Sequence, residues 1–217
     1  MNGYVPFNQR PLGGHARLLS MTLADDPRNV LDVGCSSGYL AVPLAAAGIC
    51  VSGIELDPDA ADDARASCEG GVLVGDIESM DLPFEPASFD AIVCGDLVEH
   101  LRDPGSTLAR LRPLLRPGGR LVLSTPNVAN WAMRLSLLGG RWRYTDRGIL
   151  DRTHAHLFTR KTLTETVHAA GYRVVELDHT APVPVVGTPG VERLAHVVSR
   201  VRPSLFAYQF LLAATPR

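Results

Sequence analysis

The stretch "LDVGCSSGYL", Leu31 to Leu40, decides the reading of this 217-residue chain. An apolar run carries Asp32 near its end, and small residues then recur at every second position: Gly34, Ser36 and Gly38. Past them, "GYLAVPLAAAG" takes up a helical period. Strand, bare turn and helix together form a ligand-binding unit of an open α/β sheet, whose ligands lie beyond the carboxyl ends of the strands. Glycine is needed there if the backbone takes positive φ or if another group approaches the main chain closely.

A dinucleotide fingerprint would require glycine at 36 and glycine or alanine at 39. Ser36 and Tyr39 stand there instead, so the turn fails that pattern at two of its three small positions.

Working outward, "NVLDV", "ICVSGI", "GVLVG", "FDAIVC" and "RLVLST" read as strands, and "GYLAVPLAAAG", "PDAADDARASC" and "STLARLRPLL" as the helices between them. This alternation predicts a parallel sheet covered on both faces. Pro43 is expected to distort the first helix, and "LRPGG" to stop the third. "TRKTLTETVHAAGY" predicts a helix capped by Thr159 and stopped by Gly171, followed by two last strands in "YRVVELDH" and "FAYQFLLAA". Between Pro126 and Phe158 the alternation breaks, and we read an insertion at about 126–158 within one domain spanning 1–217.

With 46% hydrophobic and 20% charged residues, the chain can build a substantial core. A formal charge of -2 gives no global electrostatic case for nucleic-acid binding. Cys35, Cys50, Cys68 and Cys94 form no CxxC pair and are expected to be reduced and mostly buried, as in a cytoplasmic protein. "MNGYVPFNQRPLGG" lacks the basic and apolar regions of a signal peptide, and the longest apolar run, "SLFAYQFLLAA", is too short to span a bilayer.

The spacing that does fit is D-x-G-x-(G/S)-x-G, from Asp32 through Gly34 and Ser36 to Gly38. With acidic residues at the ends of the following strands, it resembles motif I of the class I S-adenosylmethionine-dependent methyltransferases, over roughly Asn29 to Ser124. The resemblance implies a Rossmann-like, doubly wound, seven-stranded sheet, mostly parallel with an antiparallel last strand and helices on both faces. It also implies S-adenosyl-L-methionine as cofactor. On that footing Asp32, Gly34, Cys35, Ser36 and Gly38 form the turn against the methionine part. Glu55, beside Leu56, accepts from the ribose hydroxyls, with Asp57 its competitor. Asp76 accepts from the adenine amino group, Ile77 packs on the ring, and Gly95, Asp96 and Leu97 line the pocket.

Methyl transfer from a sulfonium chiefly requires alignment, whereas an oxygen acceptor also needs its proton removed. His154 and His100 are the candidate catalytic residues; His15, His168, His179 and His196 read as surface or packing residues. Asp96, Glu99 and His100 have a D-x-x-E-H spacing, with His154 and His156 downstream. This resembles the E-x-x-E-H metal site of small-RNA 3′-end and ubiquinone-biosynthesis methyltransferases, although metal-free relatives use such a pair to fix the loop. No metal ligand is assigned from sequence.

In the insertion, Trp131, Leu135, Leu138 and Trp142 share one helical stripe, and residues 126–161 hold seven basic against two acidic side chains. Such a segment can cap the pocket over an anionic or amphiphilic substrate, or rest on a membrane surface. "GILDRTHAHLFTRKTL" resembles a segment of bacterial methyltransferases acting on small metabolites, lipids and sugars. The expected reaction is O-methylation of a small-metabolite, lipid or saccharide hydroxyl. The rivals are N- or C-methylation, or a binding partner without turnover.

Overall fold

The computed structural model describes residues 13–180, 197 and 199–217. Seven strands form one sheet in the order β3-β2-β1-β4-β5-β7-β6. They are β1 (Asn29–Val33), β2 (Cys50–Glu55), β3 (Val72–Val74), β4 (Phe89–Gly95), β5 (Leu115–Pro126), β6 (Tyr172–His179) and β7 (Gln209–Pro216). β1 to β5 pair in parallel, whereas β7 runs antiparallel to both β5 and β6. The expected Rossmann-like sheet and its antiparallel last strand are therefore present.

Period-two alternation builds two cores, one on each face. Leu31 of β1, Ile92 and Cys94 of β4, and Leu121 and Leu123 of β5 belong to one. Their neighbours Val30, Ala91, Val93 and Val122 belong to the other. Helices α4 (Pro104–Leu111) and α6 (Arg160–Ala169) bury Leu108, Leu111, Leu163 and Val167 in the first. The second receives α1 (Gly14–Leu23), α2 (Ala41–Ala46) and α3 (Pro58–Ala64), through Leu18, Met21, Leu44 and Ala61. Further α-helices among the described residues include α5 (Trp131–Leu138) and the short α7 (Pro203–Phe206).

Four details differ from expectation. α2 starts at Ala41, so Pro43 sits in the first turn, where its missing N–H omits only the one bond between those of Val42 to Gly38 and Leu44 to Leu40. α7 takes Phe206 out of the last strand, which begins at Gln209. α1 was not foreseen, although Leu18, Met21 and Thr22 bury one side of it at helical spacing. Finally, α5 ends at Gly139, so Trp142 does not share its stripe.

The strand order reverses between β1 and β4, since the chain runs outward to β3 and then crosses back. A crevice at the carboxyl edge follows from that reversal.

Candidate active site

A cleft of about 1080 Å³ opens at this edge, ample for a nucleoside-sized ligand. Nine of the expected cofactor residues line it: Gly34, Ser36, Glu55, Leu56, Asp76, Ile77, Gly95, Asp96 and Leu97. Asp32, Cys35 and Gly38 stand behind this lining.

The turn is made by positive φ at alternate residues, +75° at Gly34, +50° at Ser36 and +79° at Gly38. A Cβ at Gly34 would lie 3.1 Å from Leu97 Cδ1, which belongs to the opposite wall. At Gly38 it would lie 3.1 Å from Ala64 Cα at the end of α3. The small residue at 38 is thus demanded by its positive φ and by helix packing. Cys35 is fully buried; its hydrogen bond with Cys68 and its burial push the thiol pKa up, so it stays protonated. Asp32 is buried on the face of α1 to α3, and its Oδ2 has no hydrogen-bond partner. Burial first, then the charge of Glu55, pushes its pKa up to about 7.

Glu55 is more heavily engaged than the sequence suggests. Its Oε2 accepts from the Ser36 N–H at 2.8 Å, and its Oε1 from those of Leu56 and Asp57 at 2.9 and 3.0 Å. A carboxylate has roughly four acceptor sites, so about one is left for a ribose hydroxyl. Asp57 instead caps α3 by accepting from the Asp59 N–H.

At the adenine end, Asp76 Oδ1 accepts from the Glu78 N–H and Oδ2 from Arg102 Nη2 at 2.7 Å. Arg102 also donates to Glu78, and Arg110 donates to the carbonyls of Ile77 and Met80, clamping the loop. Sequence reasoning missed both arginines, because neither has a motif and only the fold brings α4 and the residues just before it beside this loop. Asp96 has φ +49°, and its Oδ1 accepts from the Ser124 hydroxyl and the Gln209 amide. β5 and β7 therefore fix it from two strands.

On the remaining wall, His15 of α1 stacks on Tyr39 with ring centroids 4.6 Å apart, and both line the cleft. His15 was read as a surface or packing residue; the helical spacing in "HARLLSMTL" was the signal for its placement. Burial lowers its pKa. His168 is half-buried, His179 packs against Ser199 through Nε2, and His196 lies outside the described residues.

His100 lines the cleft and His154 stands beside it. His100 Nδ1 faces the Thr153 carbonyl at 3.3 Å and His154 Nδ1 the Ile149 carbonyl at 3.1 Å. A carbonyl only accepts, so Nδ1 is the donor in both rings, and in the neutral tautomer this leaves the lone pair on Nε2. Burial and then the charge of His154 lower the His100 pKa. Glu99 is buried, and neither carboxylate oxygen has a partner in full hydrogen-bond geometry, the Thr125 hydroxyl and its own N–H being the nearest donors. Burial, then the charge of Asp96, push its pKa well above the usual value. One ligand atom from each of Glu99, His100 and His154 lies within 4.8 Å of the others. Asp96 and His156 do not join this set: Asp96 is held by Ser124 and Gln209, while the His156 N–H donates to the Glu99 carbonyl and its Nε2 faces the Arg102 carbonyl.

A profile of the family described as "Methyltransferase domain" matches residues 8–177. A ubiquinone biosynthesis O-methyltransferase of Xanthomonas euvesicatoria is 40% identical over 117 residues, 52% of this chain and 49% of the relative. Another, from Xylella fastidiosa, is 39% identical over 132 residues, 58% of this chain and 52% of the relative. The chain thus spans about half the length of these curated relatives. The crystal structure of an S-adenosylmethionine-dependent methyltransferase from Archaeoglobus fulgidus superposes with a TM-score of 0.64 at 20% identity, covering 92% of this chain and 91% of the other.

Proposed function

The chain belongs to the methyltransferase domain family and its cofactor is S-adenosylmethionine; on that premise we propose that it methylates a hydroxyl of a small metabolite, lipid or saccharide. The observation that carries the proposal is the partition of one cleft between two chemistries. Glu55, Asp76 and Ile77 face it from the ends of β2 and β3, suited to ribose and adenine. His100 lines it on the other side, with His154 against it. An imidazole with a bare Nε2 is the kind of base that an oxygen acceptor requires and a methyl sulfonium does not. Segment 126–158, which brings in Thr153 and His154, acts as the cap over the acceptor.

The similarity to ubiquinone biosynthesis O-methyltransferases supports oxygen as the acceptor atom. Incubation of the full chain with isotopically labelled methyl donor and fractionated metabolites tests this. A labelled methyl ether is the expected product. Label on nitrogen or carbon would overturn the oxygen assignment, and cofactor binding with no labelled product would leave a binding protein.

A second reading concerns a divalent cation. The orphaned oxygens of buried Glu99 and the bare Nε2 atoms of His100 and His154 make a donor set that fits one. Such an ion, when bound, lowers the pKa of a coordinated hydroxyl. In this reading Glu99 is the charged ligand, and the carbonyls of Thr153 and Ile149 orient the two imidazoles.

A further inference from the structure

Helix α5 has six apolar residues among eight, and none of the eight is buried. Leu135, Leu137 and Leu138 are 58%, 59% and 83% exposed, and Trp131 and Trp142 each more than a third. Surface helices ordinarily lay their apolar face on the core. So short a helix also gains little from propensity alone. It is held at its start by Asn130, whose side chain accepts from the Ala132 N–H and donates to the Ala207 carbonyl.

The same segment carries Arg134, Arg141, Arg143 and Arg147, all exposed, with Arg134 Nε donating to the Ala129 carbonyl. Among the described residues none of the four forms an ion pair, whereas Arg152 is taken by Asp146. The segment leaves β5 at the carboxyl edge and returns through Thr153, which lines the cleft. Apolar helix and basic residues therefore belong to the segment that leaves and rejoins the edge on which the cleft opens.

We propose that this segment docks the protein on the surface of an anionic lipid bilayer. Trp131, Leu135 and Leu138 enter the boundary between headgroups and acyl chains, and the arginines meet lipid phosphates. Charge selects this occupant: a second copy of the chain would set one basic segment against another, while anionic lipid offers apolar depth and negative charge together. No helix among the described residues is long and apolar enough to cross a membrane, so the contact is interfacial. The inference goes beyond the proposed reaction and gives it a direction, toward an acceptor anchored in or released from the bilayer.

Flotation of the full chain with vesicles tests it without reference to activity. Binding is expected to phosphatidylcholine vesicles containing phosphatidylglycerol, weakening as salt is added, with little on phosphatidylcholine alone. The double substitution Leu135→Asp/Leu138→Asp should weaken partition by about tenfold or more while S-adenosylhomocysteine binding stays intact. Arg134→Gln/Arg141→Gln/Arg143→Gln should remove the salt-sensitive part. Absence of flotation with either vesicle, or unchanged partition of the leucine variant, would overturn the proposal. So would light scattering showing a dimer that the same variant dissolves.

Discussion

The imidazoles of His100 and His154 meet edge to face, with ring centroids 4.8 Å apart and planes inclined at 76°. They come from distant parts of the chain, one following β4 and one near the end of the 126–158 segment, so their meeting ties that segment to the cleft. Each holds its Nδ1 against a backbone carbonyl and presents Nε2.

If that pair and Glu99 hold a divalent cation, calorimetry with Mn²⁺ should register one site. Glu99→Gln or His154→Gln should weaken it roughly ten- to a hundredfold. S-adenosylhomocysteine affinity should barely move in the same variants, because neither residue lines the cofactor side. Equal Mn²⁺ heats in parent and variants would remove the cation reading and leave the imidazoles as the base.

Glu55 should be the most sensitive single position for cofactor binding. Its carboxylate satisfies three N–H groups of the turn and the strand end. Glu55→Ala therefore deletes a ligand contact and unties Ser36 together. We expect S-adenosylhomocysteine affinity to fall by about ten- to a hundredfold, with a lower melting temperature. Unaltered affinity in calorimetry would displace Glu55 from the site.

Asp32 gives a pH-dependent stability. Its folded pKa, about 7, lies above the unfolded value of 3.8. Between those values the folded state holds a proton that the unfolded state has released, so stability falls as pH rises through the window. Above about 7 both states are ionised and the deficit is constant. Asp32→Asn should therefore stabilise the protein at pH 8 by on the order of 2–4 kcal/mol and by progressively less toward pH 4. Denaturant titrations at pH 5 and pH 8 giving the same difference would refute this assignment.

Gly38 and Gly48 separate backbone strain from packing. Both have φ near +80°, but a Cβ at Gly48 meets nothing within 4 Å, whereas at Gly38 it meets Ala64. Gly48→Ala should cost about 1 kcal/mol and Gly38→Ala about 2–4 kcal/mol, read by urea unfolding. Equal losses would mean that α3 moves aside without penalty.

Much of the sheet was legible because period-two burial leaves its mark residue by residue: Leu31 and Val33 on one core, Val30 on the other. The glycine turn and the acidic strand ends were legible for a related reason, since positive φ and a strand end are local properties. α1 was missed although its buried side has helical spacing, and with it His15 was taken off the cleft. α5 was drawn too long, because Trp142 continues its stripe in number although Gly139 has already ended the helix.

The sequence by itself determined the succession of strands and helices and the order in which Glu55, Asp76 and Asp96 follow one another, since short-range stereochemistry and side-chain alternation are written along the chain. Only the tertiary structure decided what each group faces. Gly38 lies against α3, Asp76 against Arg102, Asp96 between Ser124 and Gln209, and Glu99 within ligand reach of His100 and His154. These neighbours come from distant parts of the chain, and the reversal of strand order at β1 and β4 brings them to one edge; spacing in sequence carries no record of that distance.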